Sequence, residues 1–399
     1  MILAVTFLIF WLFLLWYSAN HLINTSVRIA QYFKVSALLI GLTVLAMWTS
    51  APELFLSGMA ALNGSWSLSV GNVIGSNIFN LWFILGLSAL VAPIAIQKKL
   101  VYRDWVFLTF ITCLIFAMLW DQHVAWWEGA ILLALLVWYN CYLWIKKESN
   151  WEEVEEIDKP RLKNFYILFG ISIILCLITW VASGWEFLFN FWISLYWVIF
   201  LGVLLLLFLV SLFLRRNKNS SENKLWMVLN TTKLIASLWV LVLSSDMVVN
   251  AAVFIAQYFW VSEWAIGATI VAAGTSLPEL AATVAAIVKK KYDMGVGNVI
   301  GSDIFNVLWI IGISSVITPL NLNPTCLLAQ GCENGIFEML FRDNIFSVWV
   351  LIITLIITFT FMRTWWKLSK WEGAFLFALA IARMTFEINP TFFMRLAWV

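Results

Sequence analysis

Apolar stretches of roughly 20 residues recur from one end of the chain to the other, each long enough to cross about 30 Å of hydrocarbon as a helix. They centre near Ile9, Ala46, Leu81, Thr112, Leu135, Ile174, Leu201, Leu241, Val271, Leu308, Ile353 and Ala378, which predicts about twelve transmembrane helices. The stretch 164–214 is too long for one helix and is interrupted by Ser183, Gly184, Trp185 and Glu186, so it reads as two. An open sheet would leave backbone groups unpaired in lipid, and the alternation of a membrane barrel is absent. The expected fold class is an all-α membrane protein. The opening stretch 1–17 lacks a charged leader and a small-residue cleavage site, so it reads as the first membrane helix rather than a removable signal.

Polar residues between the spans are sorted by sign. Arg28 and Lys34 form one basic cluster, Lys98, Lys99 and Arg103 a second, and Lys146, Lys147, Lys159, Arg161 and Lys163 a third. Arg215, Arg216, Lys218 and Lys224 follow, then Lys289, Lys290 and Lys291, then Arg363, Lys367 and Lys370. With twelve spans all six clusters face one side, while the intervening loops carry mainly Asp121, Glu186, Glu263, Glu333 and Glu338. The positive-inside rule then predicts a multi-pass protein of a cell inner membrane with both termini periplasmic.

An internal repeat organises the chain. The segment SANHLINTSVRIAQYFKVS from Ser18 aligns without gaps with SSDMVVNAAVFIAQYFWVS from Ser244, GLTVLAMWTSAPEL from Gly41 with GATIVAAGTSLPEL from Gly267, and GNVIGSNIFN from Gly71 with GNVIGSDIFN from Gly297. Each second segment begins 226 residues after the first. The motif WEGA at Trp127 recurs at Trp371 with an offset of 244, so the second copy carries an insertion before Arg342. The expected layout is a first five-helix repeat over 1–147, a linker with two extra transmembrane helices over 148–225, and a second repeat over 226–399. Five is odd and two is even, so the second copy enters the membrane inverted, the plan of many secondary transporters with a midplane site between the copies.

Composition agrees with a lipid environment: 63% of the 399 residues are hydrophobic and 12% charged, against roughly 25% charged in a soluble domain. Net charge of +2 with no basic stripe argues against a nucleic-acid partner. Cys113, Cys141 and Cys176 lie in apolar helices and read as small core residues; Cys326 and Cys332 sit in a loop on the expected external side, where a disulfide is the expectation. The 26 tryptophans read mostly as interfacial anchors or lipid-facing bulk.

Against this background Glu53 and Glu279 stand out. Each lies inside an apolar span, where a carboxylate costs on the order of 3 kcal/mol. Each follows a proline, and Pro52 and Pro278 supply no backbone donor, which frees carbonyls at Trp48 and Thr49 and at Gly274 and Thr275. The next helix of each copy adds Asn72, Ser76, Asn77 and Asn80, or Asn298, Ser302, Asp303 and Asn306, with Ser76 and Asn80, and Ser302 and Asn306, four apart on one face. An all-oxygen site with two carboxylates and no converging His or Cys suits a hard cation such as Ca²⁺, which takes about 6 to 8 oxygens. Two carboxylates in a dry site are neutralised by one divalent ion, two monovalent ions or two protons, so only loaded states should switch sides easily.

At these residues the sequence resembles the cation/calcium antiporter superfamily (the sodium/calcium exchanger family, bacterial type), whose two repeats carry a GTSxPE-like motif followed by GNxxGSN. The resemblance implies Ca²⁺ binding at Glu53 and Glu279 in competition with Na⁺ or H⁺. By motif position it also implies backbone ligands at Ala46, Thr49, Ala272 and Thr275, and side-chain ligands at Ser50, Ser276, Ser76, Ser302, Asn80 and Asn306. No resident cofactor is implied; the inorganic cations are cargo. The chain departs from the pattern at Trp48, which replaces the glycine kept at Gly274 and would put a ring beside the first glutamate. It departs again at Asp303, which replaces the asparagine kept at Asn77 and adds a third carboxylate. A cation channel or a transport-inactive scaffold of the same fold are the competing readings. An enzyme is not expected, because no nucleophile and base recur at useful spacing, and His21 and His123 read as ordinary helix and loop residues.

Overall fold

The computed structural model describes residues 2–33, 35–64, 66–121, 123–146, 222–258, 272–321 and 344–388. The predicted spans near Ile174 and Leu201, most of the predicted linker, Cys176 and the expected Cys326–Cys332 disulfide lie outside them. Among the described residues seven helices are long and apolar enough to cross a membrane, and one bent helix pair makes an eighth. Two of the remaining predicted spans are helical but stand outside this set. Of the one near Val271 the described part is Ala272–Thr275 and Leu277–Val288, and the other carries Lys370, Glu372, Arg383 and Glu387.

In the first half, α1 (Ile2–Phe33) ends before Ser36, whose hydroxyl caps α2 (Ala37–Ile40) by accepting the Leu39 N–H at 3.2 Å. A π-helical turn at Gly41–Leu45 leads into α3 (Ala46–Thr49), and a 45° bend separates this helix run from α4 (Ala51–Leu62). The next span joins α5 (Trp66–Phe79) to α6 (Leu85–Val91) through a π-helical turn at Asn80–Ile84. Then come α7 (Val106–Met118) and α8 (Trp126–Ile145). The second half contains α9 (Glu222–Tyr258), α10 (Ala272–Thr275), α11 (Leu277–Val288) and α12 (Tyr292–Phe305). A π-helical turn at Asn306–Ile311 continues α12 into α13 (Gly312–Ile317), followed by α14 (Asn344–Trp365) and α15 (Lys370–Ile388).

The halves are laced together. Strand β1 (Ile94–Ala95) pairs antiparallel with β4 (Lys367–Leu368), and β2 (His123–Val124) pairs antiparallel with β3 (Leu320–Asn321). By the sequence offsets β1 corresponds to β3 and β2 to β4, so the same joint is made twice, each time between one copy and the other. The WEGA motif acts beside these joints. Glu128 accepts the Ala125 N–H at 2.8 Å and Glu372 accepts the Ser369 N–H at 2.7 Å, capping α8 and α15. The glycine after each glutamate lets helices of opposite copies approach: a Cβ on Gly129 would lie 2.7 Å from Gly312 O, and one on Gly373 2.9 Å from Gly86 O.

Burial corrects one expectation. Cys113 and Cys141 are free and exposed on the outer faces of α7 and α8, not in the core. Apolarity marks burial in water, but a membrane helix is apolar toward lipid as well, so an apolar flank does not locate the core. The tryptophans divide as expected for a membrane-facing set: Trp126, Trp138 and Trp371 are more than half exposed. Trp105 is buried, and its indole N–H donates to Leu355 O at 3.1 Å.

Candidate functional site

Both glutamates sit in the first turn beyond a helix break. The α3 ladder ends with the Ser50 N–H on Ala46 O at 3.0 Å, and the α4 ladder resumes with the Leu54 N–H on Ser50 O at 3.1 Å. Pro52, lacking a donor, starts the new helix with no loss there. The second copy repeats the break at Ser276, with the Leu280 N–H on Ser276 O at 3.0 Å. Glu53 and Glu279 are both fully enclosed, at 1% and 0% exposure.

The serines at the breaks cross over. Ser50 Oγ donates to Glu279 Oε1 at 3.3 Å and Ser276 Oγ donates to Glu53 Oε1 at 3.1 Å, so each copy's break holds the other copy's carboxylate. Ser302 Oγ lies 3.2 Å from the same Glu279 oxygen and 2.8 Å from Ser50 Oγ. Asn80 Nδ2 reaches Ser302 Oγ at 3.3 Å and Asp303 Oδ1 at 2.9 Å. The equivalent bond of the other copy runs from Asn306 Nδ2 to Asn77 Oδ1 at 3.0 Å, and Asn77 Nδ2 donates to the Asp303 carbonyl at 3.2 Å. Asn80 and Asn306 each begin a π-helical turn, whose extra residue per turn shifts side chains around the helix at functional positions.

These bonds leave a set of oxygens over. Among the described residues Glu53 Oε2, Glu279 Oε2, Ser76 Oγ, Asn80 Oδ1, Asn306 Oδ1 and Asp303 Oδ2 are buried without a hydrogen-bond partner. A buried polar atom left unpaired is costly. All six are oxygens, the donor chemistry that a hard cation takes from its site. The expected ligands fall into this picture unequally. Thr49 is buried, and its hydroxyl bonds Ala46 O and Asn298 Oδ1, both at 3.3 Å. Ala46 O therefore already accepts two hydrogen bonds. Ala272 and Thr275 lie on α10, which leads into the second break.

Of the two departures from repeat symmetry, Asp303 is drawn into the cluster, fully buried against Asn80. Trp48 is not enclosed with the first carboxylate: it keeps 36% exposure while Thr49 and Ser50 on either side of the bend are buried. The helix carries residue 48 about 100° away from residue 49, and only the latter points inward. At Gly274, by contrast, an added Cβ would collide with the Val249 side chain of α9, and Ser245 Oγ donates to Gly274 O at 3.0 Å. Sequence reasoning singled out Asn72 and Asn298 but missed their hydroxyl partners, Ser57 and Thr283. Asn72 Nδ2 donates to Ser57 Oγ at 2.9 Å, and Asn298 Nδ2 donates to Thr283 Oγ1 at 3.2 Å, one pair in each copy at the same spacing. The recurrence of a hydroxyl at Ser57 and Thr283, 226 residues apart, was the available signal.

Comparison with known proteins bears on the same residues. The family model described as sodium/calcium exchanger protein matches residues 3–145 and 229–389. The protein CaxA of Alkalimonas amylolytica is 32% identical over 319 residues, 80% of this chain and 82% of that protein. The sodium/calcium exchanger MaX1 of Methanosarcina acetivorans is 27% identical over 91% of this chain and 92% of that protein. Among solved structures, the sodium-calcium exchanger NCX_Mj soaked with Na⁺ and Sr²⁺ superposes with a TM-score of 0.66 at 25% identity, covering 96% of this chain and 98% of that one.

Proposed function

The chain belongs to the sodium/calcium exchanger protein family, membrane transporters rather than enzymes, and from that premise we propose that it exchanges Ca²⁺, or a related divalent cation, for Na⁺ or H⁺ by alternating access. The observation that carries this reading is the crossed holding of Glu53 by Ser276 and of Glu279 by Ser50, with the second oxygen of each carboxylate unpartnered. Ligands come from both halves of the molecule, so any relative movement of the halves alters the site and its access together.

The proposed ligand set is Glu53, Glu279, Ser76, Asn80, Asn306 and Asp303 through their free oxygens, with Ser50, Ser276 and Ser302 orienting the carboxylates. The backbones of Ala46, Thr49, Ala272 and Thr275 line the two breaks. An empty site keeps uncompensated carboxylates away from water, which opposes the switch between sides; a divalent ion, two monovalent ions or protons remove that opposition. The arrangement proposed around this site is two inverted five-helix repeats joined by two extra helices, twelve in all, in a cell inner membrane with the basic connections cytoplasmic and both termini outside.

The test is calcium uptake into inverted membrane vesicles under an imposed sodium or proton gradient. Uptake driven by either gradient, stalled without the trans ion and lost in Glu53→Gln and in Glu279→Gln, is the expected result. Normal calcium affinity in either neutral variant refutes the site, and flux without a trans ion replaces the exchanger by a channel.

A further inference from the structure

Away from the carboxylates, four of the chain's connections converge on one cavity of about 500 Å³. Its basic wall is Arg103 just before α7, Lys146 at the end of α8, and Lys290 and Lys291 in the turn between α11 and α12. These belong to three different clusters along the sequence. The cavity is reached beside β1, so it opens at the end of the molecule where β1 and β4 pair and where Lys98 stacks over the Trp366 ring at 5.1 Å.

The charge balance of the lining is positive. Arg103 is matched by its neighbour Asp104, with Nε on Oδ1 at 2.7 Å, and Asp104 also accepts the Tyr139 hydroxyl at 2.9 Å. Asp293 is the one acid among the lining residues, and it accepts from Gln97 Nε2 at 2.5 Å. Lys146, Lys290 and Lys291 have no ion-pair partner among the described residues. Lys290 is held in the left-handed region, φ 58°, by a turn in which its N–H bonds Ile287 O at 2.9 Å and the Lys291 N–H bonds Ala286 O at 2.8 Å. The two consecutive lysines are thus set by the backbone.

The remainder of the lining is mixed: Gln31, Ser36, Gln97 and Tyr292 are polar, and Val27 and Ala30 from α1, Leu38 from α2 and Leu143 from α8 form its apolar floor. Lysines, polar groups and an aliphatic floor in one cavity, at the end of a set of membrane helices, match an amphiphile with an anionic head and a polar glycerol region better than a free anion, which has no use for the floor. We propose that this cavity binds the headgroup and glycerol region of an acidic phospholipid, with Lys146, Lys290 and Lys291 on the phosphate and the apolar floor against the upper acyl chain.

Native mass spectrometry of the purified full chain in detergent tests it, with phosphatidylglycerol, phosphatidylcholine and inorganic phosphate titrated separately. Phosphatidylglycerol should bind with saturation and phosphatidylcholine far more weakly. Lys290→Gln and Lys291→Gln should each lower the phosphatidylglycerol affinity about fivefold, from the cost of about one basic residue at an anionic surface. Lys98→Gln and Lys370→Gln, on the same face but outside the cavity, should leave it unchanged. Equal binding of both lipids, equal loss in the outside variants, or full competition by inorganic phosphate overturns the proposal. So does lipid binding that appears only after Glu152, Glu153, Glu155 and Glu156 are changed to Gln, which would assign the lysines to the chain's own acidic stretch.

Discussion

Gly301 on α12 sits where an added Cβ would come within 2.6 Å of Leu42 O and 2.7 Å of Ala46 Cβ, whereas among the described residues Gly75, its counterpart on α5, meets nothing within 4 Å. Among the described residues, then, the motif GNVIGS packs hard against the other copy's broken helix at Gly301 and not at Gly75. Burial follows: the span 292–317 is 78% buried and the span 68–91 is 67% buried. Two copies of one sequence pattern thus build one site from a tight half and a looser half.

The largest effect should ignore this asymmetry. If both carboxylates supply charge to one cation, Glu53→Gln and Glu279→Gln should each lower calcium uptake by about two orders of magnitude or more, a loss of about 2.7 kcal/mol or more in binding. A variant that retains half the uptake would show that only one half of the cluster carries the ion. Next comes the extra acid of the tight half. Asp303→Asn makes the two copies alike at this position, and loss of one ligand charge should weaken calcium affinity about tenfold with the fold intact. An unchanged affinity, read by calcium titration of the purified protein, would remove Asp303 from the ligand set.

Packing gives the third contrast. Gly301→Ala should destabilise by about 1–3 kcal/mol through overpacking against Leu42 and Ala46, and Gly75→Ala by less than about 0.5 kcal/mol. Thermal unfolding in detergent separates them, and equal shifts would erase the tight and loose distinction. The smallest effect belongs to Trp48→Gly. With its ring partly exposed, the variant should lose about 1 kcal/mol of helix stability and keep calcium affinity within about twofold. A large change in ion selectivity would return the ring to the ion path.

The broken helices, the two carboxylates and the asparagine and serine positions of the following spans were legible because each depends on local chemistry. Proline removes a donor wherever it falls, an acid in an apolar run demands a reason, and a repeat offset of 226 links residues without any knowledge of their contacts. The WEGA motif was visible as a marker of duplication, but its work, a glutamate cap and a glycine contact to the opposite copy, was not. The exposed Cys113 and Cys141 were misread because lipid and protein interior are equally apolar neighbours.

By itself, then, the sequence determined a mostly helical membrane chain, the two break points and the oxygen-rich chemistry around Glu53 and Glu279. Only the tertiary structure decided that Ser50 serves Glu279 and Ser276 serves Glu53, that Asp303 faces inward while Trp48 does not, and that three basic clusters wall one cavity. Backbone breaks and desolvation act within a few residues, so they are written locally. Crossed hydrogen bonds, side-chain direction after a 45° bend and the meeting of distant loops depend on how helices are rotated and docked against one another, and no single segment carries that information.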